Sequence, residues 1–139
     1  MYAPKTKPYA HQEAAWRASW DKKYWALFFE MGLGKTKISI DTIGALYEAG
    51  RIDAALILAP KGVFDNWVVA EIPVHLPDRI PHQVMRWQPN ITKRYREELR
   101  AFALPHAKRE PKLRIFGMNI EALSTQKGAD TALAFVKLV

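Results

Sequence analysis

The chain has 139 residues, is 49% hydrophobic, contains no cysteine and carries a formal net charge of +7. One hydrophobic core is what such a length supports, since domains usually hold about 100 to 150 residues, and the missing cysteine excludes disulfide staples and thiolate metal sites. No apolar run reaches the roughly 20 residues that a bilayer requires and the N-terminus lacks a signal-peptide core, so a soluble intracellular protein without a membrane partner is expected, while the basic balance favours a polyanion.

Residues 1–8, with prolines at positions 4 and 8, read as a flexible lead-in, and residues 9–139 as one partial domain. A helix is expected from Tyr9 to about Lys22, where Ala15, Trp16 and Trp20 fall on one side at helical spacing and the two tryptophans read as core. Trp25 to Phe29 is a run of bulky apolar residues with no alternation, the pattern of a strand buried on both faces. Glu30-Met31-Gly32-Leu33-Gly34-Lys35-Thr36 follows, with two glycines that allow the backbone to turn tightly and to lay N–H groups around a phosphate. A helix beginning near Lys35 then points its N-terminal dipole at the same place. The predicted ligand is the phosphate tail of a nucleotide: Lys35 supplies charge to the β- and γ-phosphates, and the Thr36 hydroxyl is a ligand of the accompanying magnesium. Ile40, Ile43, Leu46 and Tyr47 form the apolar stripe of this helix, Gly44 allows close packing, and Gly50 stops it at the C′ position.

Ala54 to Ala59 is a second continuous apolar run and reads as a central parallel strand, broken by Pro60-Lys61-Gly62. A helix from Val63 to about Ile72 is expected to end before Pro73, with Phe64 and Trp67 on its packed side. Leu76 to Pro81 is a connector and His82 to Trp87 a short third strand. Asn90 or Thr92 caps a basic amphipathic helix to about Ala103, and a polar loop covers His106 to Lys112. Leu113 to Met118 is a further strand, Asn119 to Ser124 opens the helix after it, and Ala129 to Val139 is a closing apolar segment. Between Ile91 and Arg114 there are eight Lys and Arg against three Glu, so net +5 of the +7 lies there. A solvated helix face and a polyanion-binding surface both explain that run. Strands alternating with helices place the chain in the α/β class with a mainly parallel central sheet.

The segment from Glu30 to Thr36 closely resembles motif I of the Swi/Snf-related ATPases of helicase superfamily two, whose usual form is Asp-Glu-Met-Gly-Leu-Gly-Lys-Thr. Phe29 stands where that family has Asp. Ala59-Pro60-Lys61-Gly62-Val63-Phe64-Asp65-Asn66-Trp67 resembles the family's motif Ia, with Gly62 in place of serine, and Asn119-Ile120-Glu121-Ala122-Leu123 is similar to motif Ib without its tyrosine. The resemblance implies a three-layer, RecA-like P-loop NTPase lobe that binds ATP and Mg2+ through Met31, Gly32, Leu33, Gly34, Lys35 and Thr36, with Lys35 and Thr36 the catalytic pair. It implies Gln12 as the adenine reader, although Ala10 replaces the family's proline. A carboxamide suits that role because it offers a donor and an acceptor together. It also implies nucleic-acid contacts at Lys61, Gly62 and Asn119, to DNA in its double-stranded form.

A hydrolysing P-loop enzyme needs a second acidic element, a strand ending in Asp-Glu. None is present, and the family places it shortly after the point where this chain stops. The expectation is therefore a lobe truncated before the Asp-Glu motif, inactive alone and completed by a second RecA-like lobe of the same protein. The parent is expected to be a DNA-dependent ATPase, a helicase or duplex translocase of phage or bacterial type acting in the cytoplasm, or in the nucleus if eukaryotic. Two other classes stay open. A small P-loop nucleotide-binding module or kinase uses the same cradle but does not need the Ala59 to Trp67 segment. A non-catalytic basic nucleic-acid-binding domain accounts for the charge but not for Gly34-Lys35-Thr36.

Overall fold

The computed structural model describes residues 2–23, 25–26, 34–60, 62–103 and 111–138. In chain order the elements are α1 (Ala10–Ser19), α2 (Lys35–Glu48), β1 (Ala54–Ala59), α3 (Val63–Asn66), a π-helical turn (Trp67–Glu71), α4 (Ile72–His75), β2 (His82–Arg86), α5 (Lys93–Phe102), β3 (Leu113–Asn119), a 3-10 turn (Ile120–Ser124) and α6 (Gln126–Leu138). The protein is α/β, with a small open sheet of three parallel strands in the order β1-β3-β2. The chain divides into two units, Met1–Ile52 with Trp67–Ile80, and Asp53–Asn66 with Pro81–Val139.

In the first unit α1 and α2 carry the structure. Tyr9 N–H donates to Gln12 Oε1 (2.8 Å), which satisfies a donor at the start of α1. Trp16 and Trp20 stack at 5.6 Å between ring centroids, and Tyr2 packs on Trp16 at 5.8 Å. Both tryptophans are half-buried. A Schellman arrangement ends α2: Gly50, at φ +70°, donates to Tyr47 O and Arg51 donates to Leu46 O, both at 2.9 Å. The buried side of α2 differs from the apolar stripe of the sequence. Ile40 is buried, but Ile43, Leu46 and Tyr47 are only half-buried, and Lys37, Ile38, Asp41, Gly44 and Ala45 complete the packed face. Two ionic residues take these positions because they neutralise each other, and Gly44 is there because a Cβ would stand 3.0 Å from the Tyr2 ring.

Residues 2–8, the expected lead-in, contain no helix or strand, yet hydrogen bonds hold them. The Tyr2 hydroxyl donates to Asp41 Oδ1 (3.0 Å), Lys5 Nζ to Asp78 Oδ1 (2.7 Å), and Arg79 Nη2 to Ala3 O (2.9 Å). Thr6 Oγ1 meets His75 Nδ1 at 2.8 Å. Helical structure also persists beyond Ile72, where the sequence led us to expect an end. The five-residue π turn resets the ladder, so that Pro73 falls at the start of α4, where a missing N–H costs no internal bond.

In the second unit β3 is the central strand, and Leu113 to Met118 are all buried. Among the described residues β1 is an edge strand rather than a central one, because β3 is the strand apolar enough to be covered on both faces. Phe116 and Met118 point to one face of β3, where Phe102 of α5 and Phe135 of α6 pack on them with Ala122 and Ala132. The three phenylalanine rings lie 5.3–6.1 Å apart. Truncating such a ring costs about 3–5 kcal/mol, so this triangle dominates the unit's stability. Gly117, on the opposite face, receives Phe64 of α3: a Cβ there would lie 2.0 Å from the ring.

Thr92 rather than Asn90 caps α5, its hydroxyl accepting from Tyr95 N (3.1 Å). Tyr95 and Phe102 face inward, while Lys93, Arg94, Arg96 and Arg100 are exposed. This part of the basic run lies on the exposed face of α5. After β3, Ile120 to Ser124 forms a 3-10 turn capped by Asn119, and α6 starts only at Gln126, where Thr125 Oγ1 accepts from Gly128 N (3.0 Å).

Candidate functional site

Of the nucleotide residues named from sequence, Gln12, Gly34, Lys35 and Thr36 are described, all in the first unit. Met31, Gly32 and Leu33 lie outside the described residues, as does most of the expected strand from Trp25 to Phe29. Trp25 itself is 56% exposed and belongs to no strand.

Gly34 is the N-cap of α2 and adopts the left-handed conformation, with φ +79° and ψ 35°. That conformation costs other residues roughly 1–2 kcal/mol. It also leaves the first N–H groups of α2 unpaired within the helix and directed out of its N-terminal end. The ladder of the helix begins with Ile38 N–H on Gly34 O at 3.5 Å. Gln12 is only 5% exposed and stands directly against this turn, its Nε2 donating to Gly34 O at 3.4 Å. A Cβ on residue 34 would lie 2.0 Å from that nitrogen. Two residues 22 positions apart, chosen from sequence for one pocket, therefore meet. Both ends of the Gln12 carboxamide are engaged by backbone, at Tyr9 and Gly34, so a ligand at this side chain has to share or replace those bonds.

Lys35 is exposed and Thr36 half-buried in the first turn of α2. The next residue, Lys37, anchors that turn. Its Nζ lies 2.7 Å from Asp41 Oδ2 and donates to Thr6 O at 3.0 Å, and both charged side chains are less than a tenth exposed. Tyr2 completes the group by donating to the second Asp41 oxygen. Burial pushes the Tyr2 hydroxyl pKa far above its ordinary value, and the adjacent carboxylate adds to the shift. The amino-acid sequence does not display this network. Its visible signal was a Lys and an Asp four apart, a spacing that usually marks an exposed pair.

Of the nucleic-acid residues, Gly62 and Asn119 are described and Lys61 is not. Both belong to the second unit and line one hollow of about 150 Å3 beside the carboxyl ends of the strands. The register explains their meeting. Ala59, the last residue of β1, pairs with Asn119, and Arg86, the last of β2, pairs with Gly117. Gly62 turns with φ +85°. Asn119 Oδ1 accepts from Ala122 N (2.8 Å), so the donor side of its amide is what it can offer a ligand. Asp65, Arg86 and Trp87 also line the hollow and were not anticipated. They reach it because β2 runs parallel to the other strands and ends at the same level, a relationship that residue spacing does not display.

Among the described residues no group of three His, Asp or Glu could hold a metal ion, and no helix is long and apolar enough to cross a membrane. No protein-family model, curated protein or solved structure matches this chain.

Proposed function

We propose that the chain is the ATP-binding, RecA-like P-loop lobe of a DNA-dependent ATPase of the Swi/Snf-related kind, one that couples ATP hydrolysis to movement on double-stranded DNA. The observation that carries this reading is the meeting of Gln12 with a left-handed Gly34 at the head of α2. In a sequence reading Gly34-Lys35-Thr36, that turn supplies backbone donors, an ammonium and a hydroxyl at one end of a 14-residue helix. A buried carboxamide lies beside them.

The residues present fit ATP and magnesium. The Thr36 hydroxyl, with no group of three carboxylates or histidines among the described residues, suits an ion held chiefly by phosphate oxygens and water, which is how magnesium accompanies nucleotides. Thr36 would hold the ion through its hydroxyl, and the ion would supply neutralisation of phosphate charge. Lys35 adds positive charge at the same phosphates, and the Lys37–Asp41–Thr6 contacts hold the first turn of α2 in place. Gln12 recognises the base edge. The second lobe of the same protein supplies the remaining half of the pocket, and Gly62, Asn119 and Lys61 supply contacts to the DNA backbone.

The experiment is a Lys35→Ala exchange in the complete protein, with DNA-stimulated ATP turnover and duplex binding measured side by side. Turnover falls by at least 100-fold on this reading while duplex binding stays within about twofold, since the lysine stabilises charge on the transferred phosphate. Unchanged turnover refutes it.

A further inference from the structure

We propose that Arg86 is a phosphate-binding residue of the strand-end hollow, and that Asp65 holds it in a latched state which the DNA backbone displaces. The inference rests on the nucleic-acid part of the function proposed above and adds to that surface a residue pair and a regulation.

The hollow lies outside the carboxyl ends of parallel strands, where open α/β sheets bind their ligands. Gly117 contributes no side chain to it, Trp87 gives it an apolar wall, and Asn119 and Gly62 give it an amide and a turn open on its outer side. Among the described residues that line it, Arg86 is the one cation and Asp65 the one anion. They are bonded to each other, Arg86 Nη1 donating to Asp65 Oδ1 at 2.5 Å. The arginine's backbone is fixed: it pairs with Gly117 in the sheet, and its carbonyl accepts from the Tyr95 hydroxyl at 2.7 Å. Its side chain is not, for the two partners are 51% and 61% exposed.

An exposed pair of this kind is weak and is screened by salt. A phosphodiester matches a guanidinium better than a single carboxylate oxygen does, since the planar fork can meet two phosphate oxygens. Without nucleic acid the basic residue is thus neutralised by a neighbour from α3, the short helix after β1. When a backbone phosphate arrives, the guanidinium transfers to it and Asp65 is left to water. A volume of about 150 Å3 has room for one backbone phosphate with its waters and not for a base pair, so the contact is sequence-independent.

The test is a double-mutant cycle in the complete protein, read by anisotropy of a labelled 30-base-pair duplex across a salt series. Arg86→Met is expected to weaken binding about five- to tenfold and to lower the slope of log affinity against log salt by about one. Asp65→Asn is expected to tighten binding about two- to threefold, and that gain disappears in the Arg86→Met background. Asp130→Asn, an equal charge change on the exposed side of α6, is the control and gives a smaller gain. Should Arg86→Met fail to fold, Arg86→Lys keeps the charge without the fork and is expected to lose about two- to threefold. A gain from Asp65→Asn that persists without Arg86, or that Asp130→Asn equals, overturns the latch while leaving the nucleic-acid surface standing. No binding of duplex by the parent protein removes both, whatever Lys35→Ala does to ATP turnover.

Discussion

The Lys37 ammonium and the Asp41 carboxylate meet at 2.7 Å inside the first unit, with side chains only 5% and 7% exposed. Each is served by one more neutral partner, Thr6 O for the lysine and the Tyr2 hydroxyl for the aspartate. A buried pair is a poor source of net stability, because desolvation offsets the attraction, but removing one member strands the other. Lys37→Met is therefore expected to destabilise by about 3–5 kcal/mol in urea unfolding. The triple exchange Tyr2→Phe, Lys37→Met and Asp41→Leu should recover most of that loss, since it leaves no stranded charge. A single Lys37→Met cost under about 1 kcal/mol would mean the pair is solvated in solution.

Tyr2 gives the same network a pH limit. Burial, then the Asp41 carboxylate, raises its folded pKa, whereas in the unfolded chain the phenol titrates near its ordinary value of about 10. The neutral hydroxyl is thus the form that folding favours. Its contribution is fully present below about pH 10 and is lost as pH rises past that value, because the unfolded chain releases the proton first. Burial raises Tyr95 as well, so it acts in the same direction in the second unit. Unfolding midpoints at pH 9 and pH 11 should differ more in the parent than in Tyr2→Phe. Equal differences would show that Tyr2 does not sense its surroundings.

Lys37 and Asp41 also mark where the sequence stopped being legible. The helix from Lys35, the pair of cap candidates for α5, three parallel strands and the Gly50 stop were readable, because each rests on local chemistry: an apolar run, a polar side chain before a turn, a glycine at a C′ position. The burial of Lys37 was not, since an i,i+4 ionic pair has the same spelling whether it faces water or a tyrosine. Pro73 misled for a related reason. A proline rule assumes an unbroken α ladder, and the π turn before it supplies a second helix start. For the strand-end hollow, Gly62 and Asn119 came from motif resemblance, while Arg86 and Asp65 became visible only once the register was known.

Gly117 separates packing from function in the second unit. Phe64 lies so close that a Cβ there would stand 2.0 Å from its ring, within a strand whose other residues to Met118 are buried. Gly117→Ala is expected to cost about 1–3 kcal/mol through overpacking. Phe64→Leu in the same chain should return part of it, because a smaller side chain clears the added methyl. Additive losses in the double variant would place the strain elsewhere.

Gly34 carries two demands at once, and they can be told apart. Its left-handed φ of +79° penalises any side chain, and the Gln12 carboxamide occupies the place where a Cβ would go. Gly34→Ala must therefore lose roughly 1–2 kcal/mol from backbone conformation, and also displace Gln12 from the turn. Gln12→Ala removes only the second effect, freeing space for the methyl but leaving the φ penalty. Stability measured for the two single variants and the pair should show a favourable coupling of about 0.5–1 kcal/mol. Titration of the protein with a fluorescent ATP analogue and Mg2+ then tests the proposed site. If Gln12 and the Gly34 turn share one ligand, Gln12→Ala weakens nucleotide binding with little loss of stability beyond its hydrogen bonds, whereas Gly34→Ala weakens both. Nucleotide affinity that ignores both exchanges would refute a phosphate site at the start of α2.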